Sequence, residues 1–406
     1  MVAPTLARNR DFVKLWVGEA ASMLGSRIAY VAYPLLVLAV TGSAAQAGVA
    51  GFLRTLPYFV LALPAGVLAD RLDRRRLMIA SDGVGAAAIG SLAVAIALDR
   101  LTIAHLLIVA FLDGTAGLVF RTSEAGALPQ VVRREQLPEA VARNTAREYG
   151  AYLVGPPLGG VLFGAGRVIP FVADACSYVT SALFVASIAR PLQDPRPRSD
   201  RSSIGSEARE GLLWMWGQPF LRTSAFLVAG ANLATNALAL ALILVAKDAG
   251  ASSALVGAML AFGAGGGLVG AIAAPRLQRH VSRRLIVAGY PWVGVCVIAA
   301  MALLPPPLAL GALFGAWIAF GPLWDAVVVG YRLAIVPDEL QGRVESVGVL
   351  IAFGGAALGP LSAGFAFPLA GSRATLGLIG GWTLVLAVVG TVSSSLRIDD
   401  GGTQPV

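Results

Sequence analysis

Stretches of about 20 apolar residues recur from one end of this 406-residue chain to the other, each long enough to cross a bilayer as a helix. In lipid every backbone polar group must be satisfied inside the protein, so spanning segments are restricted to helices and closed barrels. Apolar windows give twelve spans, at residues 12–40, 46–69, 77–98, 101–124, 140–164, 168–189, 220–246, 253–274, 285–304, 308–330, 344–370 and 374–396. The expected fold class is therefore an all-α integral membrane protein with twelve transmembrane helices. Only 13% of the residues are charged, against about 25% in soluble domains, which excludes an ordinary soluble enzyme.

The net charge of +8 resembles a nucleic-acid signature until the basic residues are mapped. They fall in short segments between spans. With the N-terminus inside, twenty-four basic residues, Arg143 and Arg147 among them, lie on the inner side, and only Arg100, Arg167, Lys247 and Arg373 lie outside. This bias predicts cytoplasmic termini and a lipid bilayer as partner, with no nucleic acid. It leaves Arg27, Arg54 and Arg121 as intramembrane cations. The first apolar run is too long for a cleaved signal peptide and is expected to remain as the first helix. Cys176 and Cys296 sit inside apolar runs without metal-ligand spacing and read as packing residues.

The longest polar interruption, Arg190 to Arg222, opens with Pro191, Pro195 and Pro197 and becomes amphipathic through Leu212, Leu213, Trp214 and Trp216. It predicts a six-helix bundle at 1–190, a cytoplasmic linker with an amphipathic segment at 191–219, and a second six-helix bundle at 220–406. The halves carry a repeat. Residues 69–74 parallel residues 274–279 at an offset of 205, and Gly155-Pro156 is echoed by Gly359-Pro360 at an offset of 204. Two six-helix halves in parallel repeat are an architecture that places a substrate site between them near the midplane.

Two motifs sharpen this reading. Gly66-Val67-Leu68-Ala69-Asp70-Arg71-Leu72-Asp73-Arg74-Arg75 resembles the loop 2–3 signature of the major facilitator superfamily, with Asp73 where a second glycine is usual. Ala151-Tyr152-Leu153-Val154-Gly155-Pro156-Pro157-Leu158-Gly159-Gly160 resembles its antiporter motif, with alanine at the first position. The stretches Asn9 to Gly18, Leu128 to Asn144 and Val336 to Val344 are similar to the twelve-helix branch of enterobactin and macrolide exporters. The resemblance implies two pseudo-symmetric six-helix bundles and export of a hydrophobic or amphiphilic small molecule by proton antiport with alternating access. In bare physical terms, Gly155, Pro156, Gly159 and Gly160 also serve close helix packing.

Ionisable residues inside spans are costly unless they meet a cavity or a partner. Glu19 and Arg27 form one stripe on helix 1 with Tyr30 beyond, and Asp113 and Arg121 repeat the spacing on helix 4. The resemblance turns both stripes towards a central cavity. Glu19 and Asp113 are the expected proton-coupling residues. Arg27, Tyr30, Arg54, Asn232, Asn236, Trp317, Trp324 and Asp325 are the expected cavity residues, with a structural pairing of Arg27 and Arg54 to Glu19 or Asp113 as the alternative. Asp174 reads as a structural hydrogen-bonding residue. The expected gating set is Gly66, Asp70, Arg71, Arg74, Arg75, Arg121 and Asp325. In it Arg121 meets Asp325, or else Arg121 pairs with Glu124 and Asp325 with Arg332, while Asp70 sits at the start of helix 11 near Arg343 and Val344.

Gly265 to Gly270 formally matches a dinucleotide fingerprint, but inside an apolar span it reads as a packing face. His105 and His280 lack acidic or cysteine partners at ligand spacing. No enzyme chemistry, metal or cofactor is expected. Arginine outnumbers lysine 29 to 2, the usage of a GC-rich bacterium, so the expected location is a bacterial cytoplasmic membrane. The expected partners are a small-molecule substrate, protons and lipid, with the chain a monomer. An importer, a lysophospholipid flippase or a non-transporting receptor are the alternatives.

Overall fold

The computed structural model describes residues 6–193, 204–337 and 340–396, and among them it is helical without strands. Residues 194–203 of the expected linker, Asp338 and Arg397 lie outside the described residues. The polar residues between apolar runs start the helices. Asn9 accepts from the Phe12 N–H and caps α1 (Arg10–Thr41), which ends on Gly42 in the left-handed region at φ 65°. Asp73 accepts from the Arg76 N–H and caps α4 (Arg74–Ala97). The loop 2–3 signature therefore loses nothing by carrying Asp73, whose φ of −62° needs no glycine. Thr102 caps α5 (Ile103–Val131) and Ser282 caps α11 (Arg283–Met301) in the same way.

The second and tenth spans, expected as continuous helices, are broken, and the cause is the same in both. α2 (Ala44–Val60) is followed by α3 (Ala62–Arg71) at a bend of 54°. Pro64 has no N–H for the Val60 carbonyl and its ring crowds that position. α12 (Pro307–Ile318) gives way to α13 (Gly321–Ile335), where Pro322 stands in the same relation to Ile318. The remaining helices are α6 (Leu137–Ala165), α7 (Ile169–Ala186), α8 (Ile204–Gly217), α9 (Pro219–Asp248), α10 (Ser253–Leu277) and α14 (Gln341–Val392). α14 is two spans joined at Gly371, where φ is 74°.

Nine segments among the described residues are long and apolar enough to cross a membrane, and the bent pair α2–α3 makes ten. The second half of α14 and the more highly charged α6 complete a twelve-helix fold. Large apolar side chains point outwards, Leu183, Leu303, Leu369 and Val392 being at least two-thirds exposed, as a lipid-facing surface requires.

Packing sorts the helices into two units. The first takes in α1, α3 to α7, α2 from Leu53 onwards, and Ser252–Gly257. In it α7 lies against α1 and α4, while α6 lies against α1. The second takes in Ala44–Phe52, α8, α9, α10 from Ala258 onwards, and α11 to α14, with α14 packed along α9 and α11. Each unit thus includes a few residues from the other half of the chain. Ser253 and Gly257 lie against Gly160 in the first, and Gly48 lies against Pro360 and Gly364 in the second.

Gly371 tests the joint in α14. A Cβ there would meet no atom within 4 Å, so any penalty for a side chain is backbone strain alone. Gly371→Ala is expected to cost about 1–3 kcal/mol and to lower the thermal midpoint of the purified protein, whereas Gly381→Ala, also open to a Cβ and without a positive φ, should leave it unchanged.

Candidate functional site

The first unit contains all the charged side chains that are buried among the described residues: Glu19, Arg74, Asp82, Asp113, Glu124, Arg147 and Asp174. Around Asp113 they form a network. Arg54 Nε donates to Asp113 Oδ2 at 2.8 Å, and Tyr178 Oη of α7 donates to Oδ1 at 2.7 Å. Ser26 of α1 lies 3.3 Å from the same phenol oxygen. Gly114 makes the ion pair reachable, because a Cβ there would collide with the Arg54 carbonyl and push α2 away. Asp174, fully buried on α7, stands near both Asp113 and Arg54, and its Oδ2 has no hydrogen-bond partner. Gly25 admits Asp174 and Ser177 against α1.

A second network lies towards the other end of α1. Glu19 is paired with Arg147 of α6 at 2.7 Å, and Glu124 of α5 is within hydrogen-bonding reach of Glu19. Asn144 Nδ2 donates to Glu124 Oε1 at 3.1 Å. Arg147 Nε and Nη1 and Asn144 Oδ1 remain without partners, so the cluster has donors and an acceptor to spare. The two networks share one stoichiometry, two carboxyl groups about a single guanidinium.

Of the structural pairings weighed for the intramembrane cations, Arg54 with Asp113 is present. Glu19 takes Arg147 instead of Arg27, and Arg147 is a buried partner rather than an inner-loop cation. The Arg27 guanidinium lies over the Tyr152 ring, 3.5 Å from its centroid, a cation–π contact. Tyr30 is half-buried beside Arg27 and Arg54. Arg121 is exposed on α5, where Glu124 is engaged by Asn144.

The antiporter-motif residues act by letting backbones meet. A Cβ on Gly155 would strike Arg27, one on Gly159 the Ile28 carbonyl, and one on Gly160 the Ser253 carbonyl. Pro156 is buried between them, its carbonyl against Gly257. The loop 2–3 residues tie helix ends together. Arg74 is buried, donates to the Ala69 and Gly126 carbonyls at 3.1 and 2.6 Å, and is paired with Asp70 at 3.4 Å. Arg75 donates to the carbonyls of Ile188 and Arg190 beyond the C-terminus of α7. Gly66 meets nothing within 4 Å of a Cβ, and Arg71 is exposed.

In the second unit a cavity of about 180 Å³ is lined by Met215, Leu221, Val228, Trp324, Asp325 and Arg332, with other apolar residues of α9, α13 and α14. Arg332 is paired with Glu345 at its edge. Trp324 Nε1 donates to the Val287 carbonyl at 3.3 Å. Trp317, expected on a cavity wall, is only 1% exposed here and packs on Gly294 with its ring stacked near Tyr290. Asn236 Nδ2 donates to the carbonyl of Asn232. Arg343, near which Asp70 was expected, is paired with Glu210 of α8 at 2.5 Å.

The family described as transmembrane secretion effectors matches residues 2–403. The chain belongs to this family, within the major facilitator superfamily. Multidrug efflux pump Tap of Mycolicibacterium fortuitum is 30% identical to this chain over 94% of it and 95% of the pump. Tap of Mycobacterium tuberculosis is 30% identical over 92% and 90%. Macrolide efflux protein A of Streptococcus pyogenes is 30% identical over half of each chain. Among solved structures, a bacterial homologue of the human lysosomal transporter Spinster aligns with a TM-score of 0.75 at 14% identity, covering 96% of this chain and 97% of that one. The nucleoside transporter NupG aligns with a TM-score of 0.74 at 12% identity, covering 95% and 99%. Both share the fold, that of a multi-pass membrane transporter.

The sequence suggests other roles for several polar residues of this family member, as for Glu124 and Arg147, or none, as for Tyr178, Ser181 and Asp82. Glu124, with Asn144 and Arg147 beyond it, lies where the fourth and fifth spans approach their loop. Tyr178 and Ser181 continue one face of α7 from Asp174 at helical spacing, a signal present in the sequence. Asp82 is an acid in the middle of an apolar run.

The Arg54–Asp113 pair is open to a direct test. Asp113→Leu alone leaves the Arg54 guanidinium without its partner and is expected to cost about 3–5 kcal/mol. The double variant Arg54→Leu/Asp113→Leu removes both charges and should recover most of that loss. Thermal unfolding of the two variants checks this.

Proposed function

We propose that this protein exports hydrophobic or amphiphilic organic compounds across a bacterial cytoplasmic membrane in exchange for protons, by alternating access and with both termini inside. The observation that carries the reading is the likeness to multidrug efflux pumps over nine-tenths of both chains. The buried networks supply chemistry suited to it. Two carboxyl groups around one guanidinium form a group of net charge −1, which a single proton brings to zero. In a medium of low polarity that change is large enough to favour a different packing of the helices that carry the group.

Glu19 and Asp113 are the proton-binding residues in this reading. Arg147 and Arg54 hold the remaining charge in each network. The gain or loss of a proton at Glu19 is felt by α1, α5 and α6 together, because Glu19, Glu124 and Arg147 come one from each. The cargo needs apolar and aromatic surface, and the Trp324 and Asp325 cavity is a candidate contact for a cationic amphiphile. The partners are then the organic cargo, protons and lipid, and the chain works as a monomer.

Everted membrane vesicles test this. With an inward-acid gradient the protein should accumulate a lipophilic dye or antibiotic, and collapse of the gradient should release it. Glu19→Gln and Asp113→Asn should each abolish uphill accumulation while cargo still raises the thermal midpoint of the purified variant. Uphill transport unchanged in both single variants would overturn the assignment of these two residues. Transport insensitive to the gradient in the wild type would overturn proton antiport.

A further inference from the structure

The hairpin between α10 and α11 in the second unit is charged in a way that its counterpart in the first is not. At the repeat offset of 205, Arg71 and Arg74 recur as Arg276 and Arg279, whereas Asp70 and Asp73 become Pro275 and Gln278. Arg283 and Arg284 then add two more cations. Between Asp248 and Asp325 the chain holds no acidic residue, so neither the hairpin nor the spans that enter and leave it supply a counter-charge.

The loop of the first unit is neutralised from within. Arg74 is paired with Asp70 and donates to the Ala69 and Gly126 carbonyls, Arg75 donates to two more carbonyls, and the Asp73 carboxylate caps α4. In the second unit Arg276, Arg279, Arg283 and Arg284 are all exposed, and among the described residues none of the four side chains forms an ion pair or donates a hydrogen bond. Helix stability does not account for them either. Arg276 lies in the last turn of α10, where a cation suits the carbonyl end, but Arg283 and Arg284 are the first two residues of α11, where the dipole and the free N–H groups favour an anion. The first turn of α11 contains no acid to meet them. Exposed apolar side chains lead away from the cluster. On α10, Val269 and Ile272 precede Arg276 at spacings of three and four residues and are 63% and 61% exposed. On α11, Leu285 and Trp292 are exposed about two turns apart.

We propose that the α10–α11 hairpin is a binding site for an anionic phospholipid, its phosphate held by Arg276, Arg279, Arg283 and Arg284 and its acyl chains laid along the exposed apolar faces of α10 and α11. The planar guanidinium fork matches two phosphate oxygens at once. A zwitterionic headgroup brings its own ammonium to the phosphate and gains less from four guanidinium groups, so a lipid of net negative charge is selected. A soluble phosphate offers the charge without the chains, and the apolar faces beside the arginines make the lipid the occupant. The site needs neither a cargo nor a proton gradient.

Native mass spectrometry of the purified protein in neutral detergent, with phosphatidylglycerol and phosphatidylcholine added in equal amounts, counts the lipid retained. The wild type is expected to keep phosphatidylglycerol in preference. An arginine near an anionic surface is worth about fivefold in binding, so Arg276→Gln/Arg279→Gln and Arg283→Gln/Arg284→Gln should each lower that retention about tenfold or more. Arg133→Gln/Arg134→Gln removes the same charge from exposed residues beside Glu135 in the loop after α5, and should leave retention unchanged. On the wild type alone, phenylglyoxal labelling read by peptide mass spectrometry should find the four arginines shielded by phosphatidylglycerol, and not by phosphatidylcholine or inorganic phosphate. Equal retention of the two lipids by the wild type, unchanged retention in either hairpin variant, or an equal loss in Arg133→Gln/Arg134→Gln would overturn the site. So would labelling that phosphatidylglycerol does not slow, or that inorganic phosphate slows as much.

Discussion

The salt bridge between Arg54 and Asp113 governs how the first unit can pack. Between helices in lipid there is no hydrophobic drive, since the surrounding tails are as apolar as leucine, so packing and polar contacts decide which helices meet. Asp113 draws in α2 through Arg54 and α7 through Tyr178, and α1 joins through Ser26. Each helix must then come close enough for its side chain to reach. The small residues answer that need, with Gly114 beneath Arg54, Gly85 beneath Tyr178 and Gly25 beside Asp174. Acid and glycine are two parts of one device, and a methyl group at Gly114 would disrupt the pair as surely as removal of a charge.

The same logic explains the antiporter motif. Gly155 and Gly159 bring α6 onto α1 at Arg27 and Ile28, while Arg147, on the same helix, reaches Glu19 on α1. Close backbone contact at one level and ion pairing at another fix the rotation of α6 about its axis. A packing motif and a charge site are in this way mechanically joined, because neither can shift without moving the other.

The spans were legible in the sequence, since length and apolarity decide them, whereas the capping roles of Asn9 and Asp73 emerge only from the structure. The breaks at Leu61 and Ala319 are consequences of Pro64 and Pro322, and sequence windows that average hydropathy over 20 residues smooth over them. The partners of the buried charges were harder. Arg54 with Asp113 was among the alternatives that the sequence offered, but Glu19 with Arg147 was not, because Arg147 sits near the polar end of α6 where arginines normally serve as inner-loop cations. Tyr178 illustrates a further limit. Its role depends on Gly85, 93 residues earlier in the chain, and no local pattern links the two. Trp317 shows another limit, since an aromatic residue in a cavity-lining helix suggests a binding surface, whereas in this structure it is buried against Gly294.

The two units are repeats in sequence and opposites in chemistry. Every buried charge among the described residues belongs to the first, while the buried polar side chains of the second are Ser224, Thr375 and Thr383, of which Ser224 and Thr383 bond to carbonyls of their own helices. What the second unit offers instead is aromatic: Tyr290 lies about 6 Å from both Trp317 and Trp324, and Phe220 packs on Tyr331. The buried ionisable groups of the first unit hold one another, while the charged groups Asp325, Arg332 and Glu345 of the second line an open cavity beside this aromatic surface. Apolar and aromatic surface binds by area and shape rather than by matched hydrogen bonds, so it accepts many cargoes and rejects few. Under the export reading proposed above, keeping the buried acid–arginine networks in the first unit leaves the second an aromatic surface that demands no matching polar group from a cargo.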